Sequence, residues 1–175
     1  MTSNTSLIGT IVLVTMLLTS MSSLLAIQDP KSKKMPKEEL EELMAAAIPQ
    51  AKRMLSEYGE FYPYGGAIDK KGKVISVAVD DGDEHPPSQK LIDLLVGTFQ
   101  AQAAAGEYRL TAIVYDVRVI SPGSNEKTDA ICIELDHVDG VSLKVFVPYK
   151  IKGKNEVVYG EMFTREGAAR IFKKR

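Results

Sequence analysis

Residues 128 to 152, TDAICIELDHVDGVSLKVFVPYKIK, carry the pattern that decides the fold. Apolar and polar side chains alternate on both sides of Val138-Asp139-Gly140, as in a half-buried antiparallel hairpin. A three-residue loop with Gly140 in the left-handed conformation pairs Leu135 with Leu143. A two-residue loop would set Leu135 opposite Lys144, so the pattern favours the longer loop.

This register sorts the other side chains of the hairpin onto two faces. The further apolar pairs are Ile133 with Val145 and Ile131 with Val147. On the opposite face, Glu134 lies across from Lys144 and Asp136 across from Ser142. We therefore expect one face in the core and a cross-strand ion pair on the other.

The patterns around the hairpin extend it into a larger antiparallel sheet. The predicted elements are a helix with Pro36 in its first turn and Gly59 at its end, strands Phe61 to Asp69 and Lys73 to Val79, a helix from Ser88 to Ala105, strands Arg109 to Ile120, Thr128 to His137 and Val141 to Lys152, a short strand near Val157 to Phe163, and a terminal helix from Arg165. This order predicts an α+β fold with five or six antiparallel strands and packed helices. It resembles the Roadblock and profilin-like order, whose members are usually interaction or ligand-sensing modules.

A hydrophobic segment, Leu7 to Ile27, precedes this domain and contains no charged residue. A helix of about 20 residues crosses the hydrocarbon of a membrane, so an uncleaved anchor fits. The alternative is a cleaved signal peptide, but residues 1 to 6 carry no Lys or Arg and the best cut, after Ala26, lacks a small residue three positions earlier. The predicted parts are an anchor or signal segment at 1–28, a linker at 29–36 and one α+β domain at 37–175.

Four lysines directly after the hydrophobic segment predict its orientation. They are Lys31, Lys33, Lys34 and Lys37, whereas the tail before the segment is uncharged. The positive-inside rule then places the domain in the cytoplasm. Cleavage of the segment would instead place it outside the cytoplasmic membrane.

Composition and missing motifs exclude several classes of function. A formal net charge of -1 provides no electrostatic footprint for nucleic acid. Cys132 is the single cysteine, which excludes an intramolecular disulfide and a tetrahedral cysteine zinc site. The sequence has no phosphate loop, dinucleotide-binding glycine motif, HExxH or Gly-x-Ser-x-Gly, so we predict no cofactor.

A cluster of aromatic residues and glycines is the predicted binding surface. Its members are Phe61, Tyr62, Tyr64, Gly65 and Gly66. Aromatic side chains are enriched at interface hot spots, and paired glycines let another backbone approach closely. The alternative is a glycine bulge in a core strand whose aromatic side chains pack on the first helix.

Two polar groups carry residue types that are also found in metal or catalytic sites. The loop Asp80 to His85 holds four carboxylates and an imidazole, but it lacks the spacing of a calcium loop, so we predict a solvated loop and no metal. Glu134 and His137 lie on opposite faces of their strand and cannot easily converge. Cys132 has no apparent base, so we predict packing for it and no catalytic residue.

Three motifs, Glu60-Phe61-Tyr62-Pro63-Tyr64-Gly65-Gly66, Thr128-Asp129-Ala130 and Phe146-Val147-Pro148-Tyr149, together resemble an uncharacterised bacterial family of small α+β proteins. The likeness spans Leu40 to Phe172 and implies domain boundaries, with no mechanism. We expect a membrane-tethered, non-enzymatic binding or interaction module, as in an immunity or accessory protein, which contacts the membrane through residues 7–27 and an unknown protein partner. The alternatives are a small-molecule or metal-sensing domain and a hydrolase of an unfamiliar type.

Overall fold

A computed structural model describes residues 34–153 and 156–172 of the chain. Within these residues, neither helix is long and apolar enough to cross a membrane. The segment Leu7 to Ile27 lies outside the described residues, so the anchor and the orientation of the domain stay predictions.

The described residues form two helices and seven strands in one sheet. They are α1 (Pro36–Tyr58), β1 (Tyr64–Asp69), β2 (Val74–Val77), α2 (Ser88–Ala104), β3 (Tyr108–Ile120), β4 (Lys127–His137), β5 (Ser142–Lys152), β6 (Glu156–Tyr159) and β7 (Phe163–Glu166). Every pairing is antiparallel, and the strand order is β2-β1-β3-β4-β5-β6, with β7 also paired to β5. The predicted α+β class is confirmed, although the sheet has seven strands where we predicted five or six.

The predicted register of the β4–β5 hairpin is confirmed. Leu135 pairs with Leu143 and Glu134 with Lys144. Gly140 has a φ of 86°, and the N–H of His137 donates to the carbonyl of Val141 at 2.9 Å. The three-residue loop forms because only this register buries the apolar side of both strands.

The two helices cover opposite faces of the sheet. Leu40, Leu43, Ala47, Ala51 and Leu55 of α1 pack on the apolar face that includes Ile131, Ile133 and Val145. Leu95 and Phe99 of α2 pack with Ala67, Ile113 and Ile171 on the other face. Burial of these side chains removes apolar surface from water on both sides of the central strands, which stabilises the three layers.

The prediction for the end of the chain was wrong in two respects. The single strand near Val157 to Phe163 is instead β6 and β7, which pair with different halves of β5. The terminal helix from Arg165 is not formed, because β7 continues to Glu166 and residues 167–172 are irregular. The N–H of Gly167 donates to the carbonyl of Ser142 at 3.0 Å. This backbone group is therefore bonded to the sheet and is not available for a hydrogen bond within a helix.

Candidate functional site

The predicted binding residues separate into a buried group and one exposed side chain. Phe61 is 8% exposed and Tyr64 is 6% exposed, and Gly65 and Gly66 are buried as well. Tyr62 is 43% exposed. The accessible part of the predicted surface is therefore Tyr62.

Tyr64, at the start of β1, has a structural role because its hydroxyl bonds to the backbone of α1. Its hydroxyl donates to the carbonyl of Ala47 at 2.7 Å and accepts the N–H of Ala51 at 3.1 Å. It thus bridges two groups one turn apart, around Pro49, which has no N–H to donate. Burial raises the pKa of Tyr64 to about 12, so the hydroxyl keeps its proton at neutral pH.

The paired glycines let both described helices approach β1 closely. A Cβ atom on Gly65 would lie 2.5 Å from Cζ of Phe99, and one on Gly66 would lie 3.1 Å from Cδ1 of Leu43. Both glycines pair in register with β2 and β3, so the strand has no bulge at this point. The close approach that paired glycines allow is used here for internal packing.

Tyr62 contacts the acidic loop that leads into α2. Its hydroxyl lies 3.4 Å from Nδ1 of His85. We call Tyr62 together with the loop Asp80 to His85 the Tyr62 surface. This contact joins the only exposed side chain of the five predicted residues to the acidic loop that the sequence also singled out.

Hydrogen bonds between residues two positions apart order the backbone of the loop. The carboxylates of Asp80, Asp81 and Asp83 accept the N–H groups of Gly82, Asp83 and His85 at 2.8, 3.0 and 3.1 Å. Lys90 pairs with Asp81 at 2.9 Å. Its ammonium, together with the N–H of Asp83, holds the pKa of Asp81 below its ordinary value.

The carboxylates at the tip of this loop face solvent. Asp80, Asp83 and Glu84 are exposed and, among the described residues, none of them is within 4 Å of a cationic nitrogen. No three acidic, His or Cys side chains in the described part of the chain are arranged to hold a metal ion. The loop therefore presents three exposed carboxylates and an excess of negative charge, which Lys90 offsets only in part, beside an aromatic ring.

The polar residues of β4 are engaged in structural contacts. The predicted pair of Glu134 with Lys144 is confirmed, and Glu134 also contacts Arg170 at 3.1 Å and the hydroxyl of Tyr115 at 3.1 Å. Burial acts to raise the pKa of Glu134, but the hydrogen bond and charge of Lys144 outweigh it and hold that pKa below its ordinary value. Burial raises the pKa of Cys132 to about 11, which keeps this thiol protonated at neutral pH.

A buried ionic group at the start of α1 escaped the sequence analysis. Nε2 of His137 lies 2.8 Å from Oε2 of Glu39, and Nη2 of Arg109 lies 3.2 Å from the other oxygen of Glu39. The N–H of Asp139 donates to Nδ1 of His137 at 3.0 Å, so Nε2 carries the proton that Glu39 accepts. The predicted register of the hairpin could have indicated this group, because it places His137 on the same face as Leu135 and therefore beneath α1.

The described residues thus define an α+β domain with a preorganised acidic and aromatic surface. Comparison of the chain with protein-family models, curated proteins and solved structures found no match.

Proposed function

We propose that the chain is a membrane-tethered, non-enzymatic binding module that recognises a protein partner through the Tyr62 surface. The observation that carries this proposal is the contact between the exposed ring of Tyr62 and His85 of the acidic loop. Tyrosine supplies a large contact area with little loss of conformational entropy, which makes it a frequent anchor of interfaces.

The order of the loop supports binding through this surface. Three side-chain to backbone hydrogen bonds hold residues 80–85, and Pro86 and Pro87 follow directly. A loop that already has one conformation loses less entropy when a partner binds. The affinity of the Tyr62 surface for a partner should be higher for this reason.

The charge of the surface indicates the chemistry of the partner. Asp80, Asp83 and Glu84 expose their carboxylates beside Tyr62. Opposite charges across an interface accelerate association and disfavour the wrong partners. The partner that fits is a protein with a basic patch, and its association should slow as the salt concentration rises.

The placement of the reactive side chains favours binding over catalysis. Cys132 is buried with a raised pKa, and His137 is enclosed between Glu39 and the backbone of Asp139. Glu134 is engaged by Lys144 and Arg170. These groups stabilise the fold through their contacts, and a catalytic role would need them to face a substrate.

Site-specific cross-linking in the native cell tests the surface. A photoreactive benzoylphenylalanine at position 62 of the full chain should yield a discrete cross-linked protein, and the combined change of Asp83→Asn and Glu84→Gln should reduce its yield several-fold. Position 162 is a matched control, because Met162 is 52% exposed but lies between β6 and β7. Equal yields from positions 62 and 162, or no product at 62, would overturn the proposal.

The tether and the compartment need a separate test. We propose that Leu7 to Ile27 anchors the chain with the domain in the cytoplasm, because four lysines follow the segment, whereas residues 1–6 carry no Lys or Arg. Green fluorescent protein fused at Arg175 should fluoresce, and alkaline phosphatase at the same position should be inactive. Phosphatase activity without fluorescence would instead indicate an exported domain.

A further inference from the structure

A cleft of about 420 Å³ lies between the β3–β4 turn and the far ends of β5 and β6. It shares no residue with the Tyr62 surface. Its lining includes the polar side chains of Ser121, Ser124, Glu126, Lys127, Thr128, Tyr149, Lys150, Lys152 and Tyr159. Its volume falls within the range of small-molecule sites.

The strand pairing explains why this space is open. β4 begins at Lys127 and β5 continues to Lys152, but their pairing stops at Asp129 and Tyr149. The two strands therefore separate here, and the β3–β4 turn forms one wall of the space between them. The N–H of Gly160 donates to the carbonyl of Pro148 at 2.8 Å, and these two residues also line the cleft. A Cβ atom on Gly160 would lie 3.3 Å from Cβ of Pro148, so the glycine lets the two chain segments approach closely at the floor of the cleft.

The lining carries an excess of positive charge. The lining contains Lys127, Lys150 and Lys152 and one carboxylate residue, Glu126. A second carboxylate residue, Glu156, is outside the lining and pairs with Lys152 in the register of β5 and β6. Among the described residues, none of these three lysines forms an ion pair, whereas lysines elsewhere, such as Lys90, are paired with carboxylates. Lys150 and Lys152 are two positions apart in β5 and therefore share one face of the strand.

Three hydroxyl groups add hydrogen-bond donors to these charges. The Oγ of Ser124 accepts the N–H of Glu126 at 3.1 Å, which leaves the proton of that hydroxyl for another acceptor. The hydroxyl of Thr128 makes only long contacts, at 3.3 Å to Tyr149 and 3.4 Å to Asp129. Lysine ammonium groups and hydroxyl donors together match the oxygens of a phosphate group.

We propose that this cleft binds a small organic phosphate monoester. The phosphate is placed against the lysines and hydroxyls, and the organic part lies on the exposed side chain of Val158. At neutral pH such a phosphate carries close to two negative charges, which suits an excess of two positive charges in the lining. The proposal does not depend on the function of the Tyr62 surface.

Calorimetry on the full chain in phosphatidylcholine nanodiscs tests the site, with ribose 5-phosphate as the probe. We expect saturable binding that weakens with added salt, together with weaker binding of inorganic phosphate and none of ribose. The combined change of Lys150→Gln and Lys152→Gln should weaken binding at least tenfold. The change Val158→Trp should also weaken it, because the bulky ring narrows the cleft while the lysines remain.

A matched control removes the same charge elsewhere. Lys71 and Lys73 are exposed lysines of the β1–β2 turn, also two positions apart, and Lys71→Gln with Lys73→Gln should leave the affinity unchanged. An equal loss in this control would overturn the proposal, as would no binding to the wild type or equal affinity for inorganic phosphate. Thermal unfolding of each variant confirms that it is folded.

A phosphate monoester can come from a soluble metabolite or from a lipid headgroup. Nanodiscs that contain phosphatidic acid separate these sources. Weaker uptake of ribose 5-phosphate in these nanodiscs would assign the cleft to lipid headgroups, and unchanged uptake would assign it to soluble esters. Both results support the phosphate site.

Discussion

The carboxylate of Asp136 accepts the backbone N–H of Ile171 at 2.7 Å, although the two residues are 35 positions apart. The same oxygen accepts the N–H of Phe172 at 3.3 Å, and the other oxygen accepts the hydroxyl of Ser142 at 2.8 Å. Asp136 is 5% exposed and Ile171 is 6% exposed. One buried carboxylate of β4 thus holds residues 167–172 against the sheet, where Ile171 packs with Leu95 and Phe99 of α2.

The change Asp136→Ala should lower the free energy of unfolding by about 2 to 3 kcal/mol, because a buried N–H without an acceptor costs about 1 to 3 kcal/mol. Urea unfolding of the full chain in detergent measures this difference. Trypsin should also cut the variant after Arg170 several-fold faster than the wild type, because residues 167–172 detach from the sheet more often. Glu161→Gln, at an exposed residue, is the control, and equal cleavage of the two variants would contradict this role for Asp136.

The buried pair of Glu39 and His137 should contribute strongly to stability. Glu39 is 2% exposed and His137 is fully buried, so Glu39→Ala leaves the ring N–H without an acceptor and Arg109 without its counterion. We expect a loss of about 3 kcal/mol, which is typical when one partner of a buried ionic group is removed. Arg109→Ala should cost less, because the Arg109 side chain is 21% exposed. A double-mutant cycle should show coupling between Glu39 and Arg109, and additive effects would contradict it.

Gly65→Ala should destabilise the domain by about 1 to 3 kcal/mol, as is usual for overpacking in a full core. The new Cβ would lie 2.5 Å from the ring of Phe99, which is fully buried and has little room to move. Gly97→Ala is the opposite case, since Gly97 lies in α2 and a methyl group at this position would point into open space, with no neighbouring side chain within 4 Å. That change should stabilise the domain by about 0.5 to 1 kcal/mol through helix propensity. Thermal unfolding of both variants, and of Gly65→Ala with Phe99→Leu as a rescue, checks these signs.

Asp116→Asn should raise the free energy of unfolding slightly at pH 7, because solvent screens much of the effect at this exposed residue. Asp116 as a whole residue is exposed, but partial burial of its carboxylate and the nearby charge of Asp129 raise its pKa above the ordinary value of 3.8. The hydroxyl that Tyr149 donates at 2.8 Å only partly offsets this. The folded state therefore binds the proton of Asp116 more tightly than the unfolded state does. The cost of the ionised form is fully present above the raised pKa and is lost as the pH falls below about 3.8.

Asp69→Asn is the matched control, and it should change the free energy of unfolding in the opposite direction. The N–H groups of Lys73 and Lys71 hold the pKa of Asp69 below its ordinary value. The contribution of ionised Asp69 to stability is therefore fully present above pH 3.8 and is lost as the pH falls through the lowered pKa. Urea unfolding between pH 3 and pH 7 should show Asp116→Asn above the wild type and Asp69→Asn below it at pH 7. Both differences should shrink in acid, and a constant difference across this range would contradict the assignment.

The central hairpin was predictable because local chemistry and burial agree there. Val138-Asp139-Gly140 permits a three-residue loop, and the same register buries Leu135 and pairs Glu134 with Lys144. The predicted terminal helix does not form, because here a contact with a residue far along the chain overrides the local preference. Residues 165–172 have helix-forming alanines, but the N–H of Ile171 is taken by Asp136, and no local pattern reports that partner.

The candidate site was predictable only in part. The sequence singled out Tyr62 and the acidic loop separately, whereas their contact depends on how β1 and the entry to α2 meet. The glycine pattern at Gly65 allows a partner or a helix to approach, and only the position of Phe99 decides between them. The cleft lies where the pairing of β4 with β5 stops and β6 pairs with the end of β5, and the sequence pattern did not show where that pairing stops.

The division of the outer side of β5 has a consequence for self-association. β7 pairs with Leu143 to Phe146 and β6 with Tyr149 to Lys152, so an incoming strand meets two short strands with a break between them. The opposite side of the sheet ends in β2, which has four residues. Long unpaired edges act as templates for edge-to-edge aggregation, and short edges prevent it. A domain concentrated on a membrane surface, as we propose for this one, can therefore be crowded against its own copies without joining them into a continuous sheet.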